Sequence, residues 1–454
     1  MTRTRLLLAA AGLMAALNPI GAQSVTDSAG VSQRKIEIQY LRPQDQRGIN
    51  MFETPKVAGA EYNGFKIQWG AAFAQQFQGL THSNTADSVF QAASPVGPGA
   101  AGAAAVANRN RLQAIGNGFN NAVANAYLHA QLAKGIRIQL TSYLSARHHN
   151  ETWVKDGFIQ IDESPIDLPI LNTIMKYTTV KIGHFEVNYG DFHFKRSDNG
   201  QVLYNPLVGN AIMDAFTTEV GAEAIFQKSG FLAVAALTNG EVRGQILRAS
   251  DRSPAFMGKV GFDKQLNSDV RTRLTASYRN QGSAASNTLY SGDRAGSRYY
   301  YVLENYVSTE SANFTSGNIN PGFTDKGNSV MVNPFIKVRG AEFFGMYEVA
   351  KGRAAPNTNP TREVKQLMAE GTYRLLKGEK LFVAARWNRV TGNLSSTNPD
   401  ISVTRSNVGG GWFILPTLML KGEYVTQKYD RFARTDIRNG GKFQGFMLEA
   451  ATSF

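Results

Sequence analysis

From residue 65 onward the chain is dominated by apolar and polar positions alternating with a period of two. The clearest run sets Phe65, Ile67, Trp69, Ala71 and Phe73 against Lys66, Gln68, Gly70, Ala72 and Ala74. Successive strand side chains point to opposite faces, so such a run is an extended strand lying between an apolar and a polar medium. The same reading sets Val270, Thr272, Leu274, Ala276 and Tyr278 opposite Arg271, Arg273, Thr275, Ser277 and Arg279. It also sets Ile136, Ile138, Leu140, Ser142 and Leu144 opposite Arg137, Gln139, Thr141, Tyr143 and Ser145. Further strands are expected over 36–41, 119–132, 152–161, 176–189, 216–228, 231–238, 256–264, 297–307, 328–339, 342–350, 363–376, 381–390, 401–414, 418–428 and 443–454. Many of these span nine to twelve residues. A tilted strand needs that length to cross a bilayer, whereas strands of soluble sheets average about five or six.

The connections alternate as well. Tight turns are expected at Ala133-Lys134-Gly135, Lys228-Ser229-Gly230, Leu266-Asn267-Ser268-Asp269, Arg339-Gly340-Ala341, Lys377-Gly378-Glu379 and Leu415-Pro416-Thr417. Longer polar stretches lie between those hairpins, over roughly 79–118, 190–215, 282–296, 308–327, 351–362, 391–400 and 429–442. A short-turn side and a long-loop side are what an outer-membrane barrel has. The expected fold is therefore all-β, a transmembrane antiparallel up-and-down β-barrel of about 16–18 strands. Strict up-and-down order slips by one strand between 282 and 340, so either 297–307 or 308–327 is out of place in this reading. Loop 79–118, with Ser94-Pro95-Val96-Gly97-Pro98-Gly99 and an Ala-rich run through Ala105, is either a surface loop or a segment folded into the lumen.

Composition narrows the class further. None of the 454 residues is Cys, which excludes disulfides and thiolate metal or redox sites. The net charge of +13 is spread evenly rather than clustered, so nucleic acid is not an expected partner. Beyond the N-terminus there is no run of about 18 apolar residues, and no membrane-spanning helix is expected. Arg3 and Arg5, the apolar stretch Leu6 to Leu17 and Pro19-Ile20-Gly21-Ala22 have the build of a cleaved signal peptide over 1–22, leaving 23–454 as the barrel. At the other end Phe446, Leu448, Ala450, Thr452 and Phe454 share one face. A last strand that finishes in an aromatic residue resembles the signal by which bacterial outer-membrane proteins are recognised for insertion, which makes Phe454 the candidate assembly signal and the barrel-assembly machinery an expected partner.

The segment Lys181-Ile182-Gly183-His184-Phe185-Glu186-Val187-Asn188-Tyr189-Gly190 resembles a strand of the phosphate-selective and related diffusion porins, in which a Gly-x-Phe step precedes an extended stretch and a Gly that opens a loop. The resemblance implies a homotrimeric channel in the outer membrane of a Gram-negative-type bacterium. It implies contact with membrane lipid and lipopolysaccharide, and passage of small anionic or neutral hydrophilic solutes. Many such porins have Pro where this chain has Asn188, and phosphate specificity is not carried over.

Chemistry is then sought on the inward faces, because an uncompensated charge facing lipid costs about 2–4 kcal/mol near the midplane. The basic candidates for the pore lining are Arg137, Lys181, Arg271, Arg273, Arg279, Lys337, Arg339, Arg374, Arg386 and Lys421; the acidic ones are Glu223, Glu342, Glu348, Glu370 and Glu423. Charged rings in a pore bias which ions pass, and the excess of basic residues predicts a mild anion preference unless the charges pair across strands. Arg271 and Arg273, adjacent on one face, are expected to retain the strongest net field. Trp69, Trp153, Tyr299, Tyr301, Trp387, Trp412 and Tyr424 are candidates for interfacial girdles.

No catalytic set stands out, and no cofactor or metal site is expected. His148-His149-Asn150-Glu151 lacks the i, i+4 histidine spacing of a helical zinc site, and Asp263 and Asp269 merely flank a turn. Asp191, His193, Lys195, Arg196 and Asp198, beside Glu186, form a dense polar cluster that reads as loop salt bridging, a pore mouth or a ligand site. The chain has no Walker loop, no Gly-x-Ser-x-Gly elbow and no dinucleotide fingerprint. The alternatives to a channel are an outer-membrane or periplasmic β-rich binding protein and a barrel hydrolase, for which His129 with Ser142 is the pair to test.

Overall fold

The computed structural model describes residues 37–92, 106–144, 152–240, 253–284, 286–291, 297–308 and 315–454. They form a closed barrel of 16 antiparallel strands. In chain order the wall strands are β1 (Lys66–Ser83), β2 (Val123–Ala133), β3 (Ile136–Leu144), β4 (Thr152–Ile161), β5 (Thr178–Glu186), β6 (Thr218–Lys228), β7 (Phe231–Thr238) and β8 (Ala255–Gln265). They continue as β9 (Val270–Gln281), β10 (Lys326–Val338), β11 (Ala341–Arg353), β12 (Arg362–Leu375), β13 (Leu381–Gly392), β14 (Ile401–Leu415), β15 (Leu418–Asp430) and β16 (Lys442–Ser453). Each pairs with its neighbours in sequence, and β1 closes the ring. Its first half pairs with β2, Trp69 opposite Leu128, and its second half with β16, Leu80 opposite Gly445. Phe454 completes the seam: its N–H donates to the Ala71 carbonyl at 3.0 Å, and its own carbonyl accepts from the Ala71 N–H at 3.1 Å.

The alternation in the sequence fixes which way each strand faces. On β9, Leu274, Ala276 and Tyr278 are exposed outside while Arg273, Thr275, Ser277 and Arg279 are buried inside. On β13, Val383 and Trp387 face out while Phe382, Arg386, Asn388 and Val390 face in. Trp69, Trp387, Trp412 and Tyr424 stand on the outer surface, as the girdle reading requires. Among the described residues no helix is long and apolar enough to cross a membrane; the short helix α1 (Pro169–Met175) lies in the connection from β4 to β5.

Two expected strands are absent, and their removal restores the up-and-down order. Residues 36–41 carry no strand in their described part, where Gln39 and Tyr40 form a turn and Tyr40 has φ 54°. In 297–307 the chain bends repeatedly, with Tyr301 at φ 59° and Leu303 at φ 54°. A left-handed residue breaks an extended run, and an alternating pattern cannot reveal it.

The lumen is filled rather than open. The N-terminal segment 37–65, the long connection 187–217 and parts of 282–325 enter it, and together with inward wall residues they build an apolar core that includes Phe52, Tyr189, Phe192, Ile212, Tyr299 and Phe335. Loop 187–217 lies so close to the wall at Gly200 that a Cβ there would sit 2.8 Å from the Ala124 Cα, a contact only glycine permits. The described parts of 79–118 differ from expectation: β1 runs on to Ser83, and the chain beyond it bonds to the loop 431–441 through Thr85 and Asn439 and through Asp87 and Arg434. The stretch 93–105 lies outside the described residues.

Candidate functional site: the barrel lumen

The densest charge cluster is built where β8 and β9 meet the two segments that fill the lumen. Arg273 donates Nε and Nη2 to Asp191 at 2.8 Å each, Nη1 stands 2.7 Å from the Glu53 Oε2, and Nη1 reaches Asp263 at 3.0 Å. Lys259 Nζ contacts Asp191 at 3.0 Å and Glu53 at 3.4 Å. Arg271 pairs with Asp263 at 2.8 Å and donates to the Asn50 carbonyl at 2.9 Å. Three cations thus face three carboxylates, and the Phe52 ring lies 4.3 Å below the Arg273 guanidinium. A buried charge needs such partners, since leaving one uncompensated costs about 3–5 kcal/mol. Burial alone raises the Glu53 carboxyl, but Arg273 and Lys259 outweigh it and hold it at about 2. The adjacent arginines therefore do not keep a free field; each is neutralised by a carboxylate, and Glu53 and Asp191 reach Arg273 from distant parts of the chain.

The other inward candidates are also partnered. Lys181 meets Glu223 at 3.0 Å, Arg279 bonds Glu219, and Arg374 meets Glu342 at 2.8 Å. Lys337 lies 3.2 Å from Glu342 and 2.7 Å from Glu379. Arg386 donates to Glu370 at 2.5 Å and to the Gly209 carbonyl at 2.6 Å. Lys421 pairs with Glu449 at 2.9 Å and donates to the carbonyls of Val202, Asn205 and Leu207. Among the described residues Arg137 bonds the amide oxygens of Gln160 and Gln139 and no carboxylate. Glu348 accepts from the hydroxyls of Tyr189 and Tyr290, and Glu423 accepts from the Val208 and Gly209 N–H groups and from the Tyr299 hydroxyl.

Two assignments need correction. Arg339 is not a pore-lining residue: it occupies the tip of the β10–β11 turn at φ 52°, its side chain is 79% exposed, and it pairs with Asp269. The turn takes it off the wall, where strand alternation no longer applies. Tyr299 is buried in the lumen rather than in a girdle. The side chain of Trp153 and the run 145–151, with His148, His149 and Glu151, lie outside the described residues.

Several charged residues escaped the sequence reading. Lys155 and Asp156 are consecutive, yet both are buried inside, because a bulge where β3 pairs with β4 turns two neighbours to the same face. Adjacent charges within an alternating run are the signal that could have marked it. Lys155 bridges Glu186 and Asp198 at 2.7 Å each, and Asp198 is also bonded by Tyr143. His193 Nδ1 lies 2.9 Å from Glu186, and burial holds its imidazole below the ordinary value against the pull of that carboxylate. Glu219 and Glu449 are inward wall residues as well: Glu449 lies opposite Lys421 on the paired strand β15, whereas Glu219 on β6 meets Arg279 on the non-adjacent strand β9.

Among the described residues, two of the chambers within this packing border the charged lumen residues. One of about 490 Å³ on the long-loop side is lined by Arg109, Asp214, Tyr290, Glu304, Asn318 and Tyr429, among others. A smaller one of about 180 Å³ on the short-turn side lies against Arg42, Arg137, Lys155, Asp156, Glu186 and Arg196. Segment 37–65 straps the short-turn mouth: Gln39 accepts from the Gly135 N–H, Gln46 reaches the Gly378 and Pro416 carbonyls, and Tyr204 donates to the Pro43 carbonyl at 2.5 Å. Among the described residues no group of three or more His, Asp or Glu side chains is placed to hold a metal ion. His129 is buried inside, whereas Ser142 belongs to the outward face of β3, so that pair does not meet.

No protein-family model matches the chain, and no curated protein sequence does either. Solved structures share its fold. The outer membrane channel DcaP of Acinetobacter baumannii aligns over 86% of this chain and 98% of its own, with TM-score 0.50 and 10% identity. OprB of Pseudomonas putida aligns over 86% and 94%, with TM-score 0.50 and 10% identity. The chain has the closed barrel of the bacterial outer-membrane porins.

Proposed function

We propose that the protein is an outer-membrane porin-type channel for small hydrophilic solutes, exported by a signal over residues 1–22, inserted with the help of Phe454 and assembled as a homotrimer in contact with lipid and lipopolysaccharide. The observation that carries this reading is a barrel that is apolar outside and holds many charged side chains among its inward residues, with a chamber toward each end of the lumen. Arg271 and Arg273 do not support an anion preference, since both are paired. Four other guanidiniums do: Arg42, Arg137, Arg298 and Arg405 bond carbonyl and amide oxygens and have no carboxylate partner among the described residues. Against them stand inward acids without an ion-pair partner there, among them Asp156, Glu304, Glu348 and Glu423, so the preference is mild. Planar-bilayer recording under a salt gradient tests both statements. Ion steps with a reversal potential on the anion side at low salt are expected, weakening as salt screens the lumen. A reversal potential on the cation side would remove the anion preference.

The filled lumen favours a second reading, a β-rich binding protein whose ligand sits in the chamber on the long-loop side. Absence of ion current at every voltage, with saturable solute binding, would replace the channel reading by that one.

A further inference from the structure

Loop 187–217 supplies both partners of an ion pair that stands between the two chambers. Asp214 lines the chamber on the long-loop side and Arg196 the one on the short-turn side. Arg196 Nε donates to the two Asp214 oxygens at 3.0 and 3.1 Å, and Nη2 donates to Oδ2 at 2.6 Å. The side chains are 0% and 1% exposed. The pair is held from both sides: the Phe216 ring lies 4.2 Å from the guanidinium, and Asn210 donates to Asp214 at 3.1 Å. Each chamber carries both signs in its lining, Lys155 and Glu186 in one, Arg109 and Glu304 in the other.

A solute that moves between the chambers along this path has to part the pair. A neutral solute leaves buried Asp214 with the Asn210 amide alone and Arg196 with only its 3.4 Å contact to Asp198, and a singly charged one restores just one of the two lost contacts, which is unfavourable in either case. A solute with a cation at one end and an anion at the other replaces both contacts in series. Its ammonium meets the Asp214 carboxylate, and its anionic group meets the Arg196 guanidinium, so the line of alternating charges is lengthened but not broken.

Resting on the channel reading, we propose that Arg196 and Asp214 form a charge-exchange gate that favours small zwitterions, of the amino-acid or short-peptide kind, over ions and neutral solutes of equal size. The test is solute flux into vesicles carrying the full-length protein, with three poorly lipid-permeant probes of similar size: taurine as zwitterion, isethionate as anion and choline as cation. Taurine is expected to enter about tenfold faster than either ion, and the Arg196→Gln, Asp214→Asn double variant, which keeps a neutral hydrogen-bonded pair, is expected to bring the ratio close to one. Equal or slower entry of taurine than of isethionate in the unaltered protein would overturn the gate while leaving a channel, whatever the fate of the variant. A ratio unchanged in an assembled double variant would overturn it as well. No flux of any probe together with no ion current would overturn the channel reading on which it rests.

Discussion

The wall and its filling obey different rules. Along β9 the outward positions Leu274, Ala276 and Tyr278 are apolar or aromatic while the intervening ones face in as Arg, Thr, Ser or Gln; on β13 and β16 the inward set mixes Arg386, Asn388 and Glu449 with Phe382, Val390, Phe443 and Met447 of the apolar core. That order repeats strand after strand, because adjacent strands are joined by ladder hydrogen bonds and the medium on each side is the same. The filling has no period. Segment 37–65 and loop 187–217 follow the shape left inside the barrel and bond it through side chains, as Gln201 does to Gln44 and to Ser453, or Ile212 through its N–H to Asn388. The comparison shows where charge can be tolerated. Inward wall charges persist because residues far away in the sequence, Glu53 and Asp191 above all, come in to compensate them.

The largest effect is expected where the wall closes. Deleting Phe454 removes the last pair of ladder bonds to Ala71 as well as the terminal aromatic, and folded protein in the outer membrane should fall several-fold, read as loss of the heat-modifiable band. Unchanged levels would show that the seam closes without it.

A sharper contrast sets two neighbours on β9 against each other. Arg273→Ala strands carboxylates of the filling inside the barrel and should cost about 3–5 kcal/mol, whereas Leu274→Ala, exposed on the outer face, should cost under about 1 kcal/mol. Chemical denaturation of the two variants in detergent measures both. Similar losses would mean that the filling does not depend on wall charge. The smallest effect belongs to Arg339→Gln, a turn-tip substitution that should leave stability within about 0.5 kcal/mol and the reversal potential unchanged. A clear shift in reversal potential would place that turn at the pore after all.

The fold class, the direction of each wall strand and the inward placement of Arg137, Lys181, Arg271, Arg273, Arg279, Arg374, Arg386 and Lys421 were legible in the sequence, because a period of two is a local property that two unlike media enforce. Strand number was legible only to within two, since a short alternating run such as 297–307 reads the same whether the backbone stays extended or turns left-handed at Tyr301. What each inward charge does was not legible. Lys155 needed a bulge to face the lumen, Arg273 needed Glu53 and Asp191, and Arg196 needed Asp214 from the far end of its own loop. Pairing depends on distances in space between residues far apart along the chain, and only the closed barrel, by fixing how much room its lumen leaves, decides which of them meet.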